Sequence, residues 1–193
     1  MQEVTGDIWG IDRACCVTIP TNVGYRADGR NVMGKGLARA AALRFPWLAE
    51  TYGNDCLLHV RAHGAVEMQL ALYSTSGSKW CHSLLMAPVK PVLLDKPYLS
   101  WNQPASLARV ELSLHRIQQM AESMVDNRVL SSTVGTHILV PLLGCGNGEL
   151  ASQDVLQLAR VILTSDKIIL VLPSEDILRK QAEERDRPRW RRD

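Results

Sequence analysis

Two glycine-rich loops constrain the fold of this chain more than any other feature. Each follows an apolar, strand-like run and leads into a helix-like one. The first covers residues 21–37, TNVGYRADGRNVMGKGL, after the apolar run ACCVTI at 14–19. The second covers 141–150, PLLGCGNGEL, and continues the run HILVPL at 137–142. Glycine permits backbone conformations closed to other residues and lets a ligand approach the main chain closely. A glycine loop that feeds a helix also presents unpaired N–H groups and the positive end of the helix dipole. In an open α/β sheet such loops lie beyond the carboxyl ends of the strands, where ligands bind. Two of them can grip the two sides of a diphosphate; the plainer reading of the same glycines is tight turns alone. Neither loop contains the P-loop pattern G-x-x-x-x-G-K-[ST] or the dinucleotide fingerprint G-x-G-x-x-G.

The rest of the chain alternates strand-like and helix-like stretches. Residues 34–45 are rich in alanine and leucine and read as a helix, followed by a short helix over 47–52. Strand candidates fall at 56–60, 66–73 and 80–86, separated by turn residues. The longest helical pattern is 105–127, with Leu107, Val110, Leu114, Ile117, Met120 and Met124 on one face. Helices at 152–163 and 174–185, the latter capped by Ser174, flank a strand at 167–172. This order predicts an α/β fold in three layers, α/β/α, around a central mixed sheet.

The chain has 193 residues and a hydrophobic fraction of 46%, which suits one domain, placed at 1–185. With 22 basic and 20 acidic residues the net charge is +2, so any attraction to phosphate must be local. The tail at 186–193 is basic and reads either as a solvated end or as an electrostatic contact with nucleic acid, with Trp190 as a stacking group. Five cysteines without C-x-x-C spacing indicate neither a disulfide framework nor a zinc site. No secretory leader or membrane-spanning run is legible, and the expected location is the cytoplasm. His59 and His63 are four apart but lack the glutamate of a metalloprotease helix, so no metal is expected.

GDIW at Gly6–Trp9, Pro-Thr-Asn at 20–22, VMGKGLA at 32–38 and PLLGCGNGEL at 141–150 together resemble the macro domain, from about Thr5 to Leu172. Within that family the chain looks most like the branch holding the terminal ADP-ribose glycohydrolase and the antitoxin of the DNA-ADP-ribosylating toxin. The resemblance implies a site for ADP-ribose, free or on an ADP-ribosylated protein or nucleic acid, with no cofactor and no membrane partner. It implies that Asp7 accepts a hydrogen bond from the adenine amino group and that the Ile8 amide reads a ring nitrogen. Asn22, Met33, Gly34, Lys35 and Gly36 would line the distal ribose and diphosphate. Gly144, Cys145, Gly146, Asn147 and Gly148 would give backbone N–H groups to the phosphates, with Cys145 a packing residue rather than a nucleophile.

The implied activity is hydrolysis of mono-ADP-ribose from a protein carboxylate or a nucleobase. Lys90, in APVKP at 87–91, matches the lysine that attacks the anomeric carbon in that branch. Such a lysine must be a neutral amine, and burial or a nearby cation such as Lys35 would favour that. Asn22 would assist at the ribose, and either Glu149 or water would serve as general acid. Two departures bear on the acid. Some members carry an acidic residue where this chain has Gly148, and many continue the loop with Asp-Trp where this chain has Ala151-Ser152. The alternatives are a phosphatase acting on ADP-ribose 1″-phosphate and a non-enzymatic reader of ADP-ribose. The loop 89–104 carries Tyr98 and Trp101, which either close over a ligand or anchor the loop.

Overall fold

The apolar runs of this sequence build one six-stranded sheet whose two faces bury alternate residues of the same strands. The structure is a computed structural model and describes residues 1–11, 15–66, 68–75 and 77–179. The strands are β1 (Gln2–Thr5), β2 (Cys15–Asn22), β3 (Ala71–Ser74), β4 (Ser83–Lys90), β5 (His137–Pro141) and β6 (Ile168–Leu172). Their order across the sheet is β1-β6-β5-β2-β4-β3. All neighbours are parallel except β3, which runs antiparallel to β4 at the edge. The sheet is therefore mixed, as expected.

The helices are α1 (Gly36–Arg44), α2 (Leu48–His63), α3 (Leu107–Asp126), α4 (Arg128–Val134) and α5 (Ser152–Ile162). Cys15, Val17, Ile19, Leu84, Met86 and Leu139 pack on one face against Ala41 of α1 and Leu48, Tyr52 and Cys56 of α2. Cys16, Leu85, Ala87, Ile138 and Val140 face the other way, onto Leu114 and Ile117 of α3 and Val155 of α5. The period-two alternation along a strand sets this division and produces the three layers. Leu139, fully buried in the central strand β5, reports on this core. Leu139→Ala should cost about 2–5 kcal/mol, read as a lowered midpoint of chemical denaturation.

Several elements differ from the sequence expectation. Residues 56–60 are helical, inside α2, because Leu48, Tyr52 and Cys56 fall four apart on one buried face. Among the described residues of the run expected as a strand at 66–73, the strand begins at Ala71 and ends at Ser74. The strand expected at 80–86 starts at Ser83 and continues to Lys90, so Lys90 ends a strand instead of lying in a loop. The first helix starts at Gly36 and not at Gly34. β1 and α4 were not foreseen. β1 is a short, largely exposed edge strand without an apolar signature. α4 follows α3 because Asn127 ends one helix and caps the next, its Oδ1 accepting from the Leu130 N–H at 3.0 Å. Residues 175–179 are helical, with the Leu178 N–H donating to the Ser174 carbonyl at 3.0 Å. The rest of that expected helix, the domain end at 185 and the tail 186–193 lie outside the described residues. Among the described residues no helix is long and apolar enough to cross a membrane.

Candidate functional site

Five parallel strands deliver their carboxyl ends to one edge of the sheet. Asp7 and Ile8 follow β1, the second glycine loop follows β5, the first follows β2, and Lys90 ends β4. Because β5 and β2 are neighbours, their loops lie side by side. The loops meet at their tips, where a Cβ on Gly36 would come within 3.0 Å of Asn147 Nδ2. From β1 to β2 is three inter-strand steps, roughly 14 Å, so the edge is long enough for an extended ligand.

The first loop is braced from within. Asn22 Oδ1 accepts the Gly24 N–H at 2.8 Å and Asn22 Nδ2 donates to the Val32 carbonyl at 3.0 Å. Asn31 Nδ2 donates to the carbonyls of Asn22 and Gly24 at 3.0 and 2.6 Å. Helix α2 approaches so closely at Gly53 that a Cβ there would lie 2.1 Å from the Gly29 carbonyl oxygen. Asn22 is 6% exposed, so its side chain serves as a brace in this state. Asn31 and Gly53 escape a motif reading; only the buried-amide chemistry of an asparagine inside a loop hints at the former.

The second loop turns tightly. Gly144 takes a φ of 78° and its carbonyl accepts the Leu150 N–H at 3.2 Å. The Gly148 carbonyl accepts the Ala105 N–H at 2.9 Å, tying the loop to the approach to α3. Glu149 has a φ of 65°, a left-handed conformation that costs a non-glycine residue energy. Among the described residues, the N–H groups of Cys145, Gly146, Asn147 and Gly148 make no hydrogen bond. Helices α1 and α5, which follow the two loops, begin without a side-chain cap. Unpaired main-chain amides of this kind can take an anion. Cys145 donates its Sγ–H to the Leu143 carbonyl at 3.7 Å, and burial raises its thiol pKa. It has the character of a packing residue and not of a thiolate.

Lys90 lies opposite Asn22 in the β2–β4 pairing and reaches across the groove. Its Nζ donates to the Asn147 carbonyl at 2.6 Å and to the Trp101 carbonyl at 2.8 Å. Burial lowers the Lys90 pKa from its ordinary value of 10.5; Glu149 opposes this and Lys35 adds to it. Lys35 Nζ itself stands 5.9 Å from the centroid of the Trp101 ring. Lys35, Lys90, Trp101, Asn147 and Glu149 therefore converge at one end of the edge. The short turn Pro97–Asn102 supplies Trp101 and is seated on the first loop, since a Cβ on Gly24 would meet the Pro97 carbonyl oxygen at 2.3 Å. Ser100, fully buried, accepts the Leu93 N–H at 3.0 Å and fixes that turn. Tyr98 and Trp101 stay exposed at the rim, at 49% and 36%.

At the far end, Asp7 is exposed and its Oδ1 accepts the Trp9 N–H at 3.1 Å. The Gly6 N–H donates to the Leu172 carbonyl at 3.0 Å and holds this turn against β6. Ile8 is buried beneath it. His59 and His63 lie away from these groups in sequence, on α2, with His59 Nε2 paired to the Val66 carbonyl at 2.9 Å. Among the described residues no group of His, Cys, Asp and Glu is placed to hold a metal.

No protein-family model matches the chain, and no curated protein sequence matches it. Solved structures do. The macrodomain of Mycobacterium tuberculosis DarG is 22% identical, with a TM-score of 0.60, over 90% of this chain and 97% of that one. The macrodomain of Thermus aquaticus DarG is 22% identical, with a TM-score of 0.62, over 90% and 97%. Thermosipho africanus DarTG in complex with ADP-ribose is 20% identical, with a TM-score of 0.65, over 91% of this chain and 42% of that longer one. The mixed sheet, the two loops on one strand-end edge and these likenesses together show that the chain has the macrodomain fold, similar to that of the DarG macrodomains.

Proposed function

We propose that this chain binds ADP-ribose along the strand-end edge and hydrolyses mono-ADP-ribose from a protein carboxylate or a nucleobase, with Lys90 as nucleophile. The observation that carries this reading is the placement of Lys90, at the end of β4 and hydrogen-bonded to the loop that offers four free amides. The ADP-ribose held by the similar Thermosipho protein supports the choice of ligand. Asp7 Oδ2 takes the adenine amino group and the Ile8 amide a ring nitrogen. The diphosphate lies on the N–H groups of Gly34–Gly36 and Cys145–Gly148, with Met33 and Asn22 on the distal ribose side.

In the reaction, the neutral Lys90 amine attacks the anomeric carbon of the distal ribose. The bond to the leaving group breaks with its electron pair, and the leaving group takes a proton from Glu149 or water. Water then cleaves the lysine–ribose bond, its hydroxyl going to the anomeric carbon and its proton to the departing amine, which releases ADP-ribose. The resulting ammonium returns a proton to the base left by the leaving-group donor, and the neutral amine is restored. The two carbonyls on Nζ favour the ammonium, so the amine must leave them before it attacks. That same pairing favours the second reading, a protein that binds ADP-ribose without turnover. ADP-ribosylated protein and ADP-ribosylated DNA incubated with the full chain separate the two: release of ADP-ribose from either supports hydrolysis, and tight binding without release supports the reader.

The pH dependence follows from the neighbours of Lys90. A nucleophile that must be neutral gives a rate that rises with pH, with a midpoint below that of an ordinary lysine because burial lowers its pKa. Lys35→Met removes a cation that disfavours the ammonium, so the midpoint should move up and the rate at neutral pH should fall. Glu149→Gln removes an anion that favours the ammonium, so the midpoint should move down, while the plateau rate falls to the extent that Glu149 donates the leaving-group proton. Single-turnover rates across pH read both shifts; midpoints that stay put, or move the other way, contradict this electrostatic account.

A further inference from the structure

The strand-end edge leaves a second cluster unused at the opposite end of β4. A cleft of about 550 Å³ opens there beside the end of α1, the start of α2 and the β3–β4 connection. This volume is within the range of small-ligand sites. Ser74 on its rim pairs with Ser83, the first residue of β4, so it lies roughly 23 Å along the strand from Lys90.

Among the described residues the lining holds two cations, Arg44 and Lys79, and no carboxylate. The Arg44 guanidinium carbon stands 4.6 Å from the Trp9 ring centroid and 4.5 Å from that of Trp80. Its Nη1 donates to the Ala40 carbonyl at 3.1 Å, while its Nε is buried without a partner. No carboxylate pairs with Arg44 among the described residues. A guanidinium so shielded from water, with donors unspent and no counter-charge among the described residues, calls for an anion. Lys79 Nζ stands 5.0 Å from the same Trp80 ring. The Ser78 hydroxyl accepts the Trp80 N–H at 3.1 Å, which leaves its own proton to donate. Trp47, 38% exposed, adds a second indole to the cleft. Cations interleaved with indoles suit a ligand that joins a phosphate to a flat ring.

We propose that this cleft binds a nucleotide, free or within a single strand, with the phosphate on Arg44, Lys79 and Ser78 and the base against the indoles of Trp80 and Trp47. The exposed Lys79 swings from the ring to the phosphate as the base stacks. The site is separate from the strand-end edge and does not depend on the ADP-ribose reading.

The test is titration of the full chain with thymidine 5′-monophosphate, hexathymidylate and inorganic phosphate. Thymine probes avoid the adenine position at Asp7. Saturable binding of the monophosphate identifies a free-nucleotide site; binding of the hexamer alone identifies a strand site. In either case Lys79→Glu should weaken binding about tenfold or more, since it reverses a charge on the phosphate, and Gly148→Val, which disables the strand-end edge, should leave it unchanged. Lys79 is exposed, so its variant keeps the fold, and an unchanged melting temperature verifies this. Trp80→Leu should weaken the base-bearing probes more than inorganic phosphate. The proposal is overturned if neither thymine probe binds, if Lys79→Glu binds them as wild type does, or if inorganic phosphate binds as tightly as the monophosphate.

Discussion

Lys90→Ala should reduce release of ADP-ribose from its conjugates by about a thousandfold or more, while ADP-ribose affinity stays within a few fold. Lys90 is the amine that the strand-end edge places against both the second loop and the turn Pro97–Asn102, through the carbonyls of Asn147 and Trp101. Removing the amine removes the covalent route and leaves the amides that would hold the phosphates. Lys90→Arg sharpens the test. Its guanidinium retains charge and hydrogen-bond donors but is never neutral at ordinary pH, so it should be as inactive as alanine. If either variant turns over conjugates as wild type does, Lys90 is not the nucleophile. Fold cannot account for such losses, since Lys90 is half-buried at the sheet edge and its hydrogen bonds go to loop carbonyls.

Gly148→Val should abolish most ADP-ribose binding. A Cβ at Gly148 would lie 2.3 Å from the Gly144 carbonyl oxygen and 2.7 Å from Ala105 Cβ. The main chain must move, at a cost of about 1–3 kcal/mol in stability, and the hydrogen bond from Ala105 to Gly148 goes with it. Loss of two charge-assisted hydrogen bonds from the displaced amides, about 3 kcal/mol together, corresponds to about a hundredfold in affinity. Gly146 is the internal control, since a Cβ there meets nothing within 4 Å. Gly146→Ala should bind ADP-ribose nearly as wild type does. Equal losses at the two positions would mean that loop geometry is not what Gly148 protects.

The same crowding explains a departure visible in the sequence. An acidic side chain at 148, as in some macro domains, would collide with Gly144 here. The next residue, Glu149, stands in a left-handed conformation, close enough to act on the Lys90 charge. The strands under the loops were legible because Cys15–Asn22 and His137–Pro141 are apolar runs buried on both faces. The α2 segment at 56–60 misled because a short apolar run has no period of its own, and only the longer window from Leu48 reveals the helical face. β1 could not be read, since an exposed four-residue strand carries no hydrophobic pattern. The partners of Lys90 were invisible for a different reason. They are main-chain carbonyls of Asn147 and Trp101, and no side-chain motif records where a carbonyl points.

An ADP-ribose site between two glycine loops on one sheet edge stands or falls with titration calorimetry. The full chain is titrated with ADP-ribose beside Gly148→Val and Gly146→Ala. Saturable binding should survive in Gly146→Ala and be lost or weakened about a hundredfold in Gly148→Val. Absence of binding to the wild-type chain, or binding indifferent to Gly148→Val, would exclude such a site.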